Sequence, residues 1–288
     1  MALARHDTLC RSLRTVEKGV GSVSGLLPFN ANRLLLDGDV YQFGVFEGSS
    51  LARLVRIYDD PRTRLWGFDT FSGLPSEEPN QTTTVTWKPG TFDVGGTASV
   101  PRIAQQIGLR GRGELLAGLF SDTLTPYLAM AKGMRPAVYV DVDADLYVSS
   151  RQALDWLFMQ RLAVPGTVVG YDDFWVLPCI HGDPHPLEHG EGKAHAEVAE
   201  KYGVHFRCIC GPCAPRNGGS WGWRTYFLVE AVGVAPVTGV TIDADAFLRE
   251  SAVCHRSRRK SAAAGDRNGT TLPAYVPAAA AALRLHAR

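Results

Sequence analysis

The stretch VYQFGVFEGSS, Val40 to Ser50, decides how this chain is read. It starts as a short apolar run, Val40–Phe46, and passes through Gly44 and Gly48 into a segment that can be helical from Ser49. Glycines so placed permit a tight strand-to-helix turn and a close approach of backbone to ligand. A second apolar run, Leu65–Phe71, carries LWGFD and so places Asp69 21 positions after Gly48. An acid about 20 residues beyond such a turn, at the tip of the neighbouring strand, can accept hydrogen bonds from ribose hydroxyls. The turn lacks the full G-x-G-x-x-G of a dinucleotide site and carries Glu47. A carboxylate there repels a pyrophosphate and suits a cationic amino-acid ligand, which favours S-adenosylmethionine (SAM) over NAD. The expected cofactor set is Gly44, Glu47, Gly48 and Asp69, with Ser49 completing the turn.

Outward from this turn, further runs at Leu115–Phe120, Val138–Val142 and Thr167–Tyr171 alternate with stretches that can be helical from near Val100, Asp122 and Ser149. Short β-rich runs alternating with helices predict βαβ units and a mostly parallel sheet. Ser49 and Ser149 are expected as N-caps, because a side-chain oxygen there can accept an orphan backbone N–H. Later, Glu191–Tyr202 reads as a helix, and Val204–Cys210 and Arg224–Glu230 as strands around the Pro/Gly-rich turn 211–219. This predicts an α/β fold: one seven-stranded, mostly parallel sheet with an antiparallel C-terminal strand pair and helices on both faces. Residues 1–36 are expected as a helical lead-in, 37–231 as the domain, and 232–288 as a largely disordered extension. That extension carries a basic run, Arg256–Lys260, and five consecutive alanines, Ala278–Ala282.

Composition limits the function classes. The 288 residues are 45% hydrophobic and 20% charged with a net charge of +1, which argues against wholesale attraction to nucleic acid or anionic membrane. No apolar run approaches the roughly 20 residues of a membrane span. The start, MALARHDTLCRSLRTVEKG, has no apolar signal core; being Arg-bearing and acid-poor, it is compatible with an organelle transit segment. Six cysteines in a chain this long do not make a disulfide scaffold, and Cys208 and Cys210 read as small apolar residues of a strand. A cytoplasmic protein is expected, with a small-molecule acceptor as partner, neither nucleic acid nor membrane, and homo-oligomerisation left open.

The fourth run leads into DVDADLY, Asp141–Tyr147, and the fifth ends in Asp172-Asp173-Phe174. In a parallel sheet the carboxyl ends of neighbouring strands share one edge, where ligands bind. Carboxylates meeting there repel unless a cation neutralises them, and an all-oxygen donor set suits Mg²⁺ or Ca²⁺. Asp143, Asp172 and Asp173 are the expected ligands, Asp141 is in reserve by strand alternation, and Asp145 is expected to cap the following helix.

Together FGVFEGSS, GFDTFSGLP, GLFSDTL, DADLYVSS and PGTVVGYDDF, spread in order over residues 38–230, resemble the macrocin O-methyltransferase family and its relatives. The resemblance implies a Rossmann-like class I methyltransferase fold, with the SAM turn at Gly44, Glu47 and Gly48 and the ribose acid at Asp69. It also implies an adenine-lining loop at Gly118–Asp122, including Phe120 and Ser121, and magnesium (Mg2+) at Asp143, Asp172 and Asp173. His189-Gly-Glu191-Gly-Lys193-Ala194 is similar to an H-E-x-K-A stretch in one branch of these relatives. Members that methylate sugar hydroxyls carry a histidine base between the second and fourth strands, and this chain has no histidine between His6 and His181. Expected catalytic residues are therefore Asp143 and His189, with His185 and His195 behind them as bases. The polar segment Ser72–Ser99 is long enough to cover the acceptor. The activity so implied is metal-assisted O-methylation of a sugar or natural-product hydroxyl. Two rivals remain on sequence alone: a metal-dependent glycosyltransferase using the DxD acids, and a SAM-binding protein without chemistry.

Overall fold

The computed structural model describes residues 37–76, 87–109, 111–181, 185–211 and 224–240. The expected lead-in 1–36, the turn after Gly211, the basic run and the alanine-rich tail lie outside them. Seven strands form one sheet: β1 Asp39–Phe43, β2 Leu65–Asp69, β3 Gly113–Ala117, β4 Ala137–Val142, β5 Val168–Tyr171, β6 His205–Cys210 and β7 Thr225–Ala231. Their order is β3-β2-β1-β4-β5-β7-β6. Every pairing from β3 to β5 is parallel, whereas β7 runs antiparallel to both β5 and β6. The sheet thus reverses its order beside β1 and β4, the switch point at which open α/β sheets take ligands.

The helices are α1 Ser49–Ile57, α2 Val100–Ile107, α3 Phe120–Thr123, α4 Leu128–Ala131, α5 Tyr147–Met159, α6 Val176–His181 and α7 Gly190–Tyr202. Alternation along each strand divides the core into two layers. Val40, Leu65 and Leu115 pack on Leu51, Leu54 and Val55 of α1 and on Ile103 and Ile107 of α2. Tyr41, Phe43 and Phe68 pack with Leu154 and Leu157 of α5 and Ala194 and Val198 of α7. β1 is buried along its whole length, as a central parallel strand must be.

Several local expectations are corrected. The third run forms a strand only to Ala117, because the chain turns at Gly118 and is helical from Phe120. Ser49 is the first residue of α1, and its N-cap is Gly48 in the left-handed region (φ 86°). Ser149 lies inside α5, whose N-cap is Leu146, and no side chain caps that helix. Cys208 and Cys210 do sit in β6, but both are disulfide-bonded rather than free apolar thiols. No helix of the described residues is long and apolar enough to cross a membrane.

Past Ala231 the chain stays attached to the sheet edge. Val234 N–H donates to the Gly203 carbonyl at 2.9 Å, Val237 N–H to Val204 at 3.0 Å, and Phe206 N–H to Val237 at 2.8 Å. At the opposite end of the strands, the buried carboxylate of Asp39 takes hydrogen bonds from Trp66 Nε1 at 2.9 Å and from Arg135 Nε at 3.0 Å and Nη2 at 2.8 Å. This pole fixes the starts of β1, β2 and β4 and leaves their carboxyl ends for the site.

Candidate active site

Parallel register carries the ends of four strands to one edge. Gly44 N–H donates to Phe68 O, Asp143 N–H to Phe43 O, and Asp172 N–H to Val142 O, each at 2.9 to 3.0 Å. The turn after β1 therefore abuts the segment after β4. A Cβ on Gly44 would lie 1.7 Å from the Asp143 carbonyl oxygen, and its φ of 89° disfavours any L side chain, so only glycine fits. Gly48 also has positive φ, 86°, and the side chains of Ile107 and Ile103 of α2 lie against it. Between the two glycines Phe46 also adopts positive φ, 50°, and its ring is exposed.

Asp69 holds this turn. Its Oδ2 accepts from Val45 N–H at 2.7 Å and Phe46 N–H at 2.8 Å, and its Oδ1 from Phe71 N–H at 2.7 Å. The acid expected to meet a ribose thus also organises the backbone around it, keeping spare lone-pair capacity chiefly on Oδ1. Glu47 and Ser49 are exposed on the turn. Phe120 packs edge-on against Phe43 at 5.6 Å, and Ser121 beside it is exposed, with its Oγ donating to Asp122 at 3.0 Å.

Asp143, Asp172 and Asp173 do come together: one oxygen from each lies within 4.8 Å of the others. Burial, reinforced by the neighbouring acids, pushes the carboxyls of Asp143 and Asp173 well up. Two further acids join them. Asp145 is not a helix cap; its backbone is left-handed (φ 57°), its side chain hydrogen-bonds Asp173, and burial and then Asp143 push its pKa up to about 7. Glu191, at the start of α7, accepts from Asp173 N–H through Oε2 at 2.9 Å. Its Oε1 is buried with no hydrogen-bond partner, and burial followed by the charge of Asp173 pushes its pKa well up. A buried carboxylate oxygen without a donor, in a cluster with four more acids, is the arrangement a cation relieves.

Asp141 is not a ligand in reserve. It is buried one turn of the pleat below the cluster, accepting from Tyr139 OH at 3.0 Å and Arg224 Nη1 at 2.9 Å. The same guanidinium reaches Asp172, with Nε 2.6 Å from Oδ1. Sequence reasoning missed Arg224 as a site residue; the signal was a lone cation opening an otherwise apolar strand, RTYFLVE.

The histidines separate. His189 is half-buried at the N-cap of α7, two residues before Glu191. His185 is exposed. His195 is core: Tyr171 OH lies 2.9 Å from Nδ1 and the Thr238 carbonyl 2.9 Å from Nε2. A carbonyl only accepts, so Nε2 carries the proton and Nδ1 accepts from Tyr171. Burial lowers the His195 pKa to about 4, so it is neutral and enclosed rather than a base.

Over the site, the described parts of the expected lid are tied down. Leu74 N–H donates to Thr91 O at 2.8 Å and Gly90 N–H to Leu74 O at 2.9 Å. Trp87 is buried in a small cluster with Leu146, Val176 and Leu177, and Phe92 meets the Phe46 ring edge-on at 5.4 Å.

The strand order, the glycine turn after β1 and the acids after β4 and β5 define a Rossmann-like class I methyltransferase fold. The solved O-methyltransferase NovP matches it with a TM-score of 0.50 and 18% identity, over 77% of this chain and 78% of that one. Calicheamicin methyltransferase CalS11 matches with a TM-score of 0.49 and 20% identity, over 79% and 78%. Residues 30–183 match the macrocin-O-methyltransferase (TylF) family, and the chain belongs to that family. A curated relative from Streptomyces olivaceus, 8-demethyl-8-(2,3-dimethoxy-alpha-L-rhamnosyl)-tetracenomycin-C 4'-O-methyltransferase, is 32% identical over 151 residues. That match covers 49% of this chain and 55% of the relative, so the chain spans about half of that relative's length.

Proposed function

We propose that this chain transfers the methyl group of SAM to a hydroxyl of a sugar-bearing or similar small natural product, with Mg²⁺ held by Asp143, Asp172 and Asp173. The observation that carries the reading is the contact of Gly44 with the Asp143 carbonyl, which makes the cofactor turn and the acid cluster share one wall. The family supports the reaction, and the tetracenomycin relative supports a glycosylated acceptor.

SAM presents a carbon already activated by its sulfonium, and the residues here have the task of holding it and aligning the acceptor. Gly44, Gly48 and Ser49 allow its close approach, Glu47 faces its cationic end, and Asp69 offers its remaining oxygen capacity to the ribose. Phe120 and Ser121 border the adenine. Alignment of the two reactants can be worth roughly 7–11 kcal/mol. Asp143, Asp172 and Asp173 would hold the cation, which would supply Lewis-acid activation of the acceptor hydroxyl. The hydroxyl proton then passes to a base within hydrogen-bond reach. His189 is one candidate, and Asp145, set in the cluster by its left-handed backbone and its hydrogen bond to Asp173, is the other. Trp87 and its apolar neighbours help to keep water from the reacting atoms.

The test is transfer of labelled methyl from SAM to a panel of glycosylated aromatic compounds and free sugars, with Mg²⁺ or with EDTA. Asp172→Asn should spare SAM binding and remove turnover, and EDTA should act likewise until Mg²⁺ is restored. Full turnover in EDTA would eliminate the cation. Calorimetry with no heat for SAM would eliminate the cofactor assignment itself.

A further inference from the structure

We propose that Arg224 is a positioning residue that makes Asp172 a one-oxygen ligand and so favours a small octahedral cation over Ca²⁺; this rests on the cation reading above. Arg224 is mostly buried at the start of β7, the one strand that runs against all the others. Its guanidinium holds Asp141 through Nη1 and Asp172 through Nε and Nη2. Both contacts to Asp172 converge on Oδ1. Among the described residues no group donates to Oδ2, so that oxygen is the one left to join Asp143 and Asp173.

The consequence follows from coordination chemistry. Ca²⁺ takes six to eight oxygens and uses bidentate carboxylates, whereas Mg²⁺ demands six at near-ideal octahedral angles and is content with single oxygens. A carboxylate with one oxygen locked in a two-donor fork cannot become bidentate without breaking that fork. The fork also fixes the plane of Asp172, as outer partners of metal ligands do. Asp141 anchors the other side of the guanidinium and is itself held by Tyr139. Arg224 is a charge too, and loss of a positive charge beside a cation site raises affinity for every divalent ion. Mg²⁺ and Ca²⁺ carry the same charge, so that effect cancels in the ratio of their affinities, and only the geometric part remains.

The experiment is calorimetric titration of the full chain with Mg²⁺ and, separately, with Ca²⁺, for wild type, Arg224→Met and Arg224→Lys. The ratio of Ca²⁺ to Mg²⁺ affinity should rise about tenfold in Arg224→Met, the lower end of the usual effect of removing a ligand's outer partner. Arg224→Lys restores the charge without the fork, so its ratio should rise as well. Removing Arg224 strands the buried Asp141; should the Met variant not fold, the double variant Asp141→Asn/Arg224→Met removes that charge, and its ratio is compared with that of Asp141→Asn alone. An unchanged ratio in a folded variant, with both affinities rising together, would show a counter-charge and overturn the positioning role. Wild type that binds neither ion overturns the cation reading and this inference with it, and the two failures are thereby told apart.

Discussion

Asp69 shows how one carboxylate can organise a turn of backbone. Three backbone N–H groups of residues 45, 46 and 71 point at it, and charge-assisted bonds of this kind are the strong ones. Asp69→Ala should therefore abolish SAM binding and also lower the melting temperature, whereas a purely ligand-facing acid would leave the latter unchanged. Gly44→Ala should be more severe, costing at least about 3 kcal/mol, because strain at positive φ adds to the clash with the Asp143 carbonyl. Chemical denaturation of both variants measures the difference. His195 gives a pH signature. Its folded pKa, about 4, lies below the ordinary value of 6.5, so the unfolded chain binds the extra proton in that window. Stability from this group is full above pH 6.5 and falls as pH drops toward 4, by up to roughly 3 kcal/mol. Unfolding of wild type and His195→Phe followed from pH 7 to 4 should show a shallower pH dependence in the variant. Asp69, Asp143, Asp172 and Asp173 were legible in the sequence because they follow apolar runs, and a strand end is where a parallel sheet presents its chemistry. Asp145, two residues beyond Asp143, was read as a cap because its left-handed backbone leaves no trace in the pattern. Arg224 was not, because its partners are 52 and 83 positions away and only the fold brings them near. Glu191 was read as part of a motif, but nothing in a helix pattern tells that its first turn faces the cluster.

At the scale of elements, strands and long helices followed from apolar periodicity, and their starts did not. α1 begins at Ser49 behind a left-handed glycine and α5 at Tyr147 behind Leu146, so in both cases the serine expected as a cap is a helical residue. Capping chemistry is a local preference, and here the backbone of the strand-to-helix turns overrides it. The segment 232–240 also escaped a composition-based reading. It lines β6 and supplies the Thr238 carbonyl to His195, so its contribution lies in backbone bonds that no apolar pattern announces. A chain ending at Ala231 should lose stability relative to one ending at Val240 and expose the β6 edge. Hydrogen exchange at Phe206, whose N–H is donated to Val237, reports this directly: rapid exchange is expected in the shorter chain and protection in the longer.

For the molecule as a whole, two poles divide the labour. The Asp39–Arg135 pole ties the strand starts together, and the acid edge gathers the strand ends. Removing the buried Asp39 carboxylate leaves Arg135 without its main partner, and Asp39→Ala should cost about 3–5 kcal/mol while leaving ligand contacts intact in whatever fraction folds. Thermal melts alongside SAM titrations separate these effects. The placement of β7 has a temporal side. In the strand order it lies between β5 and β6, yet it is the last of the seven to be made. During synthesis β6 therefore emerges before the strand that receives it, since among the described residues its strand-to-strand pairing is with β7. Asp141 and Asp172 likewise wait for the guanidinium that arrives only with residue 224. A nascent chain halted at Gly211 should hold β1 to β5 with an open flank, Asp141 kept by Tyr139 alone and Asp172 without its guanidinium, and the final strand then slots between the parallel sheet and the waiting β6.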